Sequence, residues 1–408
     1  VHNETAFVLI LLVFGYALIS GLVKQWFVAP ALIFVVLGMA LGPFGFNLLD
    51  AGPGTEGYTV LAQLALTVIL FVQASNLRIN AAGQPSRNGF RLLAIGFPLT
   101  LVLGALTAAL LLPVLPWWEA VCLAAIVAPT EVALIDALLE DERIPERVRN
   151  AMSLESGFYD GFALAALLAA LGLASVEVDA HPGHWAWFVF RTEIVSLVLG
   201  VVVGLAGGLL IGWSRRRNWL NDTWAQLATL AIALICFEVG EYAAASGFVA
   251  AFTGGLAFAF VARRTTSAPG AAARMPNQVC DATARVLELL VFAMFGAFAV
   301  IDAWRQVSWR VVAFAVLALF GVRLVAVAVA LLRTHLPGYS RAFIGWFGPR
   351  GIGTLVLGLV VIERGELLHE DLIAQAVVIT VSLSLVLHSI TAPLGIGGFA
   401  NRAASPRL

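Results

Sequence analysis

Charge is scarce in this chain. Asp, Glu, Lys and Arg make up 12% of its 408 residues, while 61% are hydrophobic. A water-soluble protein of this size needs far more charge on its surface, so the composition excludes a soluble globular domain and places the chain in lipid. Neither sign of charge dominates: the net charge is −1, which gives no reason to expect nucleic acid or any other polyanion as a partner. Cysteine is rare as well. Cys122, Cys236 and Cys280 have neither metal-ligand nor disulfide spacing, and the first two sit in apolar runs as small packing residues. The first apolar run, Ala6–Val23, lacks a basic leader and a small-residue cleavage signal, so it reads as a spanning helix. No attached soluble domain is expected. The longest connection, Ala262–Ala284, is basic and rich in small residues and reads as a cytoplasmic linker.

What the chain has instead is one apolar run after another. A helix needs about 20 apolar residues to cross the hydrocarbon core. Thirteen segments qualify, near 6–23, 27–42, 59–77, 92–112, 119–138, 150–174, 186–213, 223–243, 246–262, 284–301, 308–332, 342–362 and 371–394. The basic residues test that count. The even-numbered connections and the N-terminus carry four, Arg191, Arg305, Arg310 and Arg364; the odd-numbered ones and the C-terminal tail carry eighteen. The asymmetry puts the N-terminus outside and the C-terminus in the cytoplasm. The fold class expected is an all-α membrane protein of thirteen spans forming a single transmembrane domain over 1–408.

Each ionisable group within a span is costly and therefore informative. Spans 5 and 6 hold Glu131, Asp136, Glu155 and Asp160; spans 8 and 10 hold Glu238 and Glu288; spans 11 and 12 hold Arg323 and Arg350. Glu193 and Glu241 lie at span ends, within reach of water. Pro129 removes a backbone donor from span 5, so Ala128-Pro129-Thr130-Glu131 frees carbonyls at mid-membrane. Span 12 carries a matching break, Gly348-Pro349-Arg350-Gly351-Ile352-Gly353. Irregular backbone at that depth is tolerated where it lines a cavity or is buried in protein. Two interrupted helices in corresponding places suggest inverted repeats with a midplane site. The repeats are expected over 1–174 and 223–394, joined by a linking helix at 186–213, with spans 5 and 12 crossing.

On span 6, Ser156 and Asp160 are four residues apart and share a face. A carboxylate that deep cannot remain charged and bare, so Asp160 holds a proton or a cation, rarely both. That competition is the physical core of ion exchange. The bland alternative is a buried carboxylate satisfied by hydrogen bonds. Glu155, on an adjoining face, is expected to pair with Arg350 and hold spans 6 and 12 together; Arg323 is expected to stabilise a carboxylate. Glu238 and Glu288 read as packing or interfacial groups. His388, alone on an apolar span, reads as a satisfied core residue. Gly200, Gly204, Gly208 and Gly212 form a stripe that allows close helix approach, and Arg215–Arg217 reads as a topology anchor.

Several of these runs resemble the NhaP/NHE type (CPA1) of monovalent cation/proton antiporter. Ala128-Pro129-Thr130-Glu131-Val132-Ala133 resembles that family's Pro-Thr-Asp-Pro-Val-Ala. Leu154-Glu155-Ser156-Gly157-Phe158-Tyr159-Asp160-Gly161 resembles its Glu-Ser-Gly-Leu-Asn-Asp-Gly. Gly348-Pro349-Arg350-Gly351, Gly321-Val322-Arg323 and Leu70-Phe71-Val72-Gln73-Ala74-Ser75 match further motifs in order along the chain. The resemblance implies a homodimeric secondary antiporter of the cell membrane that exchanges Na+ or K+ for H+ and serves pH homeostasis. Asp160 would be the central cation/proton carboxylate. Glu131, Ser156 and the Thr130 carbonyl would complete the metal-cation ligands, with Glu155, Arg350 and Arg323 in supporting ion pairs. No cofactor and no enzymatic activity are implied. This chain departs from the family pattern with Glu131 for Asp, Tyr159 for Asn and Gln73 for an acid. The last two keep a second reading open, a non-transporting scaffold or sensor built on the same fold.

Overall fold

A computed structural model describes residues 3–25, 29–49, 56–76, 87–131, 143–178, 182–265, 277–364 and 367–404. Asp136 and the second half of the expected fifth span lie outside them. All the regular structure in these residues is helical. The helices are α1 (Asn3–Gln25), α2 (Pro30–Leu41), α3 (Glu56–Asn76), α4 (Arg87–Leu111), α5 (Trp117–Val127), α6 (Glu146–Val178) and α7 (Pro182–Arg216). They continue with α8 (Asp222–Tyr242), α9 (Gly247–Thr265), α10 (Gln278–Arg305), α11 (Trp309–Ala330), α12 (Gly338–Trp346), α13 (Ile352–Arg364) and α14 (Glu370–Ala404). Eight of them, among the described residues, are long and apolar enough to cross a membrane, and five shorter apolar helices accompany them. The chain is a multi-pass membrane protein.

Local chemistry sets many of the helix boundaries. Proline, which costs nothing where no intrahelical N–H is required, opens α2 at Pro30. The Asn221 side chain caps α8 by accepting from the Trp224 N–H at 3.0 Å, and Ser308 caps α11 through the Val311 N–H. Pro98 has a longer-range effect. Its missing N–H and its ring disturb the turn before it, and residues Leu92–Gly96 of α4 form a π turn in which the Phe97 N–H reaches back to the Leu92 carbonyl. Further π turns occupy Gly296–Val300 of α10 and Leu317–Val322 of α11, the latter ending directly at Arg323. π turns are frequent at functional sites.

The chain divides into two compact units. The first comprises Val1–Thr59, Ile79–Ala174 and Leu289–Leu408, and holds α2, α4, α5, most of α6 and α11–α14. Within it α2 meets α10 backbone to backbone: a Cβ added at Gly38 would lie 2.0 Å from the Ala293 carbonyl oxygen. The second comprises Val60–Arg78 and Ser175–Glu288. There the glycine stripe acts as expected, with α7 on α9 so close that a Cβ at Gly204 would lie 2.2 Å from the Gly254 carbonyl oxygen. Small residues allow such contacts, which supply dispersion energy where no hydrophobic effect operates between helices. Asn277 and Asn76 close the foot of this unit, donating to Ser75 at 2.7 Å and to Asp281 at 2.9 Å.

Gly38→Val forces the α2 and α10 backbones apart, since the obstructing atoms are main chain. A loss of about 1–3 kcal/mol, the usual cost of overpacking, is expected as a lower unfolding temperature of the detergent-purified protein.

Candidate functional site

Helix α5 ends at Val127, two residues before Pro129, and residues 128–131 are unwound. Residues 347–351, between α12 and α13, are unwound too. Both segments are buried, and they meet: the Glu131 N–H donates to the Pro349 carbonyl at 2.8 Å. The carbonyls of the first unwound segment do not go unanswered. Arg350, fully buried, donates through Nη1 to the Ala128 carbonyl at 2.6 Å and to the Pro129 carbonyl at 2.7 Å. A guanidinium carries five donors in a fixed fork, which suits two carbonyls left without helical partners.

Helix α6 lays two consecutive turns against this crossing. Glu155, Ser156 and Asp160 are all buried. The Ser156 hydroxyl donates to the Thr130 carbonyl at 2.5 Å. Asp160 faces α13 and Pro129: a Cβ built on Gly353 would lie 2.8 Å from its Oδ1 and 3.5 Å from the Pro129 Cβ. Glycine at 353 is therefore what lets the carboxylate approach the start of α13. Thr130 and Glu131 are buried in the first break. The structure thus gathers Asp160, Ser156, Thr130 and Glu131 around one crossing. Arg350 also lies near enough to interact electrostatically with Asp160. Gln73 belongs to the second unit, on α3, where its Oε1 is buried without a hydrogen-bond partner.

The expected Glu155–Arg350 pair is corrected. Glu155 pairs with Arg323 instead, through a two-pronged contact in which Nη2 donates to Oε2 at 2.9 Å and Nη1 donates to Oε1. The reason is geometric. Arg323 follows the π turn of α11 and lies over Gly348, where a Cβ would come within 2.5 Å of its Nε; it also donates to the Ile344 carbonyl at 3.2 Å. Arg350 is committed to the carbonyls of the first break. The two arginines thus divide the work, one neutralising a buried acid and the other capping bare backbone.

Tyr159, at the position where the family has Asn, is fully buried and turns toward α4. Its hydroxyl donates to the Leu92 carbonyl at 3.2 Å, in the π turn, and its ring meets Phe97 edge-on at 5.2 Å. Glu238 is exposed on α8 and Glu288 is half-buried. Glu241 caps α9 by accepting from the Gly247 N–H at 2.9 Å. Sequence reasoning missed Glu119. This fully buried acid in the first turn of α5 accepts from the Leu368 N–H at 2.5 Å, the His369 N–H at 3.2 Å and His369 Nδ1 at 2.8 Å. Its place near a span end gave no hint of burial.

With this geometry in place, the comparisons with known proteins are specific. The family described as sodium/hydrogen exchanger, transmembrane, matches residues 8–394. The chain belongs to that family. Its relatives include antiporters of the NhaP type. A K+/H+ antiporter NhaP of Alkalimonas amylolytica is 26% identical over 85% of this chain and 58% of its own length. A probable Na+/H+ antiporter of Schizosaccharomyces pombe is 26% identical over 86% of this chain and 48% of its own length. The chain therefore spans about half the length of these curated relatives. The structure of the sodium/proton antiporter MjNhaP1 from Methanocaldococcus jannaschii superposes with a TM-score of 0.78, covering 97% of this chain and 98% of that one at 19% identity. That likeness establishes a shared fold. The family is one of transporters rather than enzymes.

Removing one member of a buried ion pair strands the other charge, at a cost of about 3–5 kcal/mol. Glu155→Gln and Arg323→Gln are each expected to lower the unfolding temperature sharply. The double variant should be closer to wild type than the sum of the two, and Arg350→Gln combined with Glu155→Gln should show no such rescue. Thermal unfolding of wild type, the three single variants (Arg350→Gln included) and the two double variants measures the difference.

Proposed function

We propose that this chain is a secondary antiporter that exchanges Na+ or K+ for H+ by alternating access, with cation and proton competing for Asp160. The observation that carries this reading is the position of Asp160: a buried carboxylate set against Pro129 and Gly353, where two unwound segments cross. Carboxylate, hydroxyl and carbonyl oxygens suit a small hard cation. Asp160, Glu131, Ser156 and the Thr130 carbonyl form the ligand set, and the Ser156–Thr130 hydrogen bond supports their being neighbours. In a low-dielectric site a bare carboxylate is unfavourable, so release of one positive guest requires arrival of the other. The relatives' names include both K+ and Na+ exchange, in keeping with a monovalent cation whose identity depends on ligand geometry.

The same reading covers the architecture. The eight long and five shorter apolar helices correspond in order to thirteen spans, with α12 and α13 as the two parts of the twelfth. Six spans on either side of α7 form two inverted repeats, each with one break. The arginine asymmetry along the sequence supports an outside N-terminus and a cytoplasmic C-terminus in the cell membrane. Helix α1 exposes Phe7, Ile10, Phe14 and Leu18, a surface suited to lipid and to a second protomer in a homodimer. The competing reading, a scaffold without transport, drew on Tyr159 and Gln73. Tyr159 now has its own role, anchoring α6 to the π turn of α4, and this weakens that motive.

Proteoliposomes carrying a preset pH gradient test the proposal. Wild-type protein is expected to dissipate the gradient on addition of Na+ or K+, and Asp160→Asn to abolish the response. Normal exchange by Asp160→Asn would refute it. Gly353→Ala, which brings a methyl against the Asp160 carboxylate, should weaken apparent cation affinity roughly tenfold, or ~1.4 kcal/mol.

A further inference from the structure

The second break is held from a side that the ion site does not use. The Arg350 N–H has no helical acceptor; it donates to the Ser384 hydroxyl on α14 at 2.7 Å. One turn further along α14, His388 is buried with Nδ1 3.2 Å from that hydroxyl and Nε2 3.0 Å from the Trp346 carbonyl, the last residue of α12. A carbonyl only accepts, so in the tautomer with its proton on Nε2 the ring donates to Trp346. The Ser384 oxygen accepts from Arg350, and its own proton goes to Nδ1. With the proton on Nδ1 instead, the ring donates to the Ser384 carbonyl at 2.8 Å, and the Trp346 carbonyl keeps the Gly348 N–H at 3.1 Å. The first tautomer is the one that links Arg350, Ser384, His388 and Trp346 in a single hydrogen-bonded chain.

We propose that Ser384 and His388 are positioning residues for exchange: a hydrogen-bonded chain from the end of α12 through α14 to the Arg350 backbone that fixes the second break in register with the first. His388 and Ser384 touch neither the cation nor Asp160. They act through Arg350, whose guanidinium holds the Ala128 and Pro129 carbonyls, and through the neighbouring Pro349 carbonyl, which accepts from Glu131. The chain spans both ends of the unwound stretch 347–351, tying Trp346 before it to Arg350 within it. The ring is further seated against Phe320, with centroids 6.0 Å apart. A helix serine ordinarily bonds back to its own helix; here its oxygen serves another element. The inference rests on the antiporter reading for its effect on transport, but not for the hydrogen-bond chain itself.

Two readouts separate those layers. Hydrogen–deuterium exchange of the peptide covering 347–353 reports the brace without any transport. Ser384→Ala and His388→Leu are expected to speed exchange there at least tenfold. His388→Gln, which keeps a donor for Trp346 and an acceptor for Ser384, is expected to restore most of the protection. Unchanged protection in Ser384→Ala overturns the proposal whether or not the protein transports. In proteoliposomes, with Asp160→Asn as the control for exchange, both disruptive variants should raise the cation KM about tenfold and leave saturated turnover within about twofold, the size expected from one net hydrogen bond. The double variant should be no worse than Ser384→Ala. Lost protection with unchanged KM would make the chain a structural brace only and overturn its positioning role. Absence of exchange in the wild type would count against the antiporter reading alone, since the protection data stand apart from it.

Discussion

Two stretches of backbone without helical hydrogen bonds lie buried in a membrane protein, and the rest of the first unit is arranged to make that tolerable. Unpaired N–H and C=O groups in such surroundings cost several kcal/mol each. The crossing answers them locally: the Glu131 N–H finds Pro349, the Arg350 guanidinium finds Ala128 and Pro129, the Ser156 hydroxyl finds Thr130, and the Arg350 N–H finds Ser384. Each element that contributes a partner is thereby fixed at the crossing. Asp160 reaches this assembly because Gly353 offers no side chain in its path.

Both buried arginines follow from the same constraint. A charge inside the membrane persists when it is paired or hydrogen-bonded, and the two solve the problem differently. Arg323 has a carboxylate partner in Glu155 and closes α6 against α11 and α12. Arg350 has two carbonyls and lies within electrostatic reach of Asp160.

How much of this was legible in the sequence depended on whether the signal was local. Pro129 and the run Gly348–Gly353 announce their own breaks, because proline and glycine act on the backbone where they stand. Asp160 was legible because an acid in an apolar run is an anomaly by itself, and the Ser156–Asp160 spacing put both on one face. The partner of Glu155 was not legible. Arg323 and Arg350 are equally basic and equally buried, and only the three-dimensional course of α11, set by a π turn with no proline to mark it, chooses between them. His388 was read correctly as a satisfied core residue; what satisfies it comes from α12 and its own Ser384, and its connection to Arg350 required the fold. Glu119 escaped notice because its partners belong to a distant connection.

The Glu119 contact has a mechanical consequence. Helices α5 and α13 run in opposite directions, and they are fastened at both extremities. At one, Glu119 grips the Leu368 and His369 amides just past α13; at the other, Glu131 and Ala128 are tied to Pro349 and Arg350 just before it. A pair of rods pinned at each end cannot splay like a hinge. Any rearrangement of this unit must then carry the two as one stiff strut, with all the give located at their neighbours.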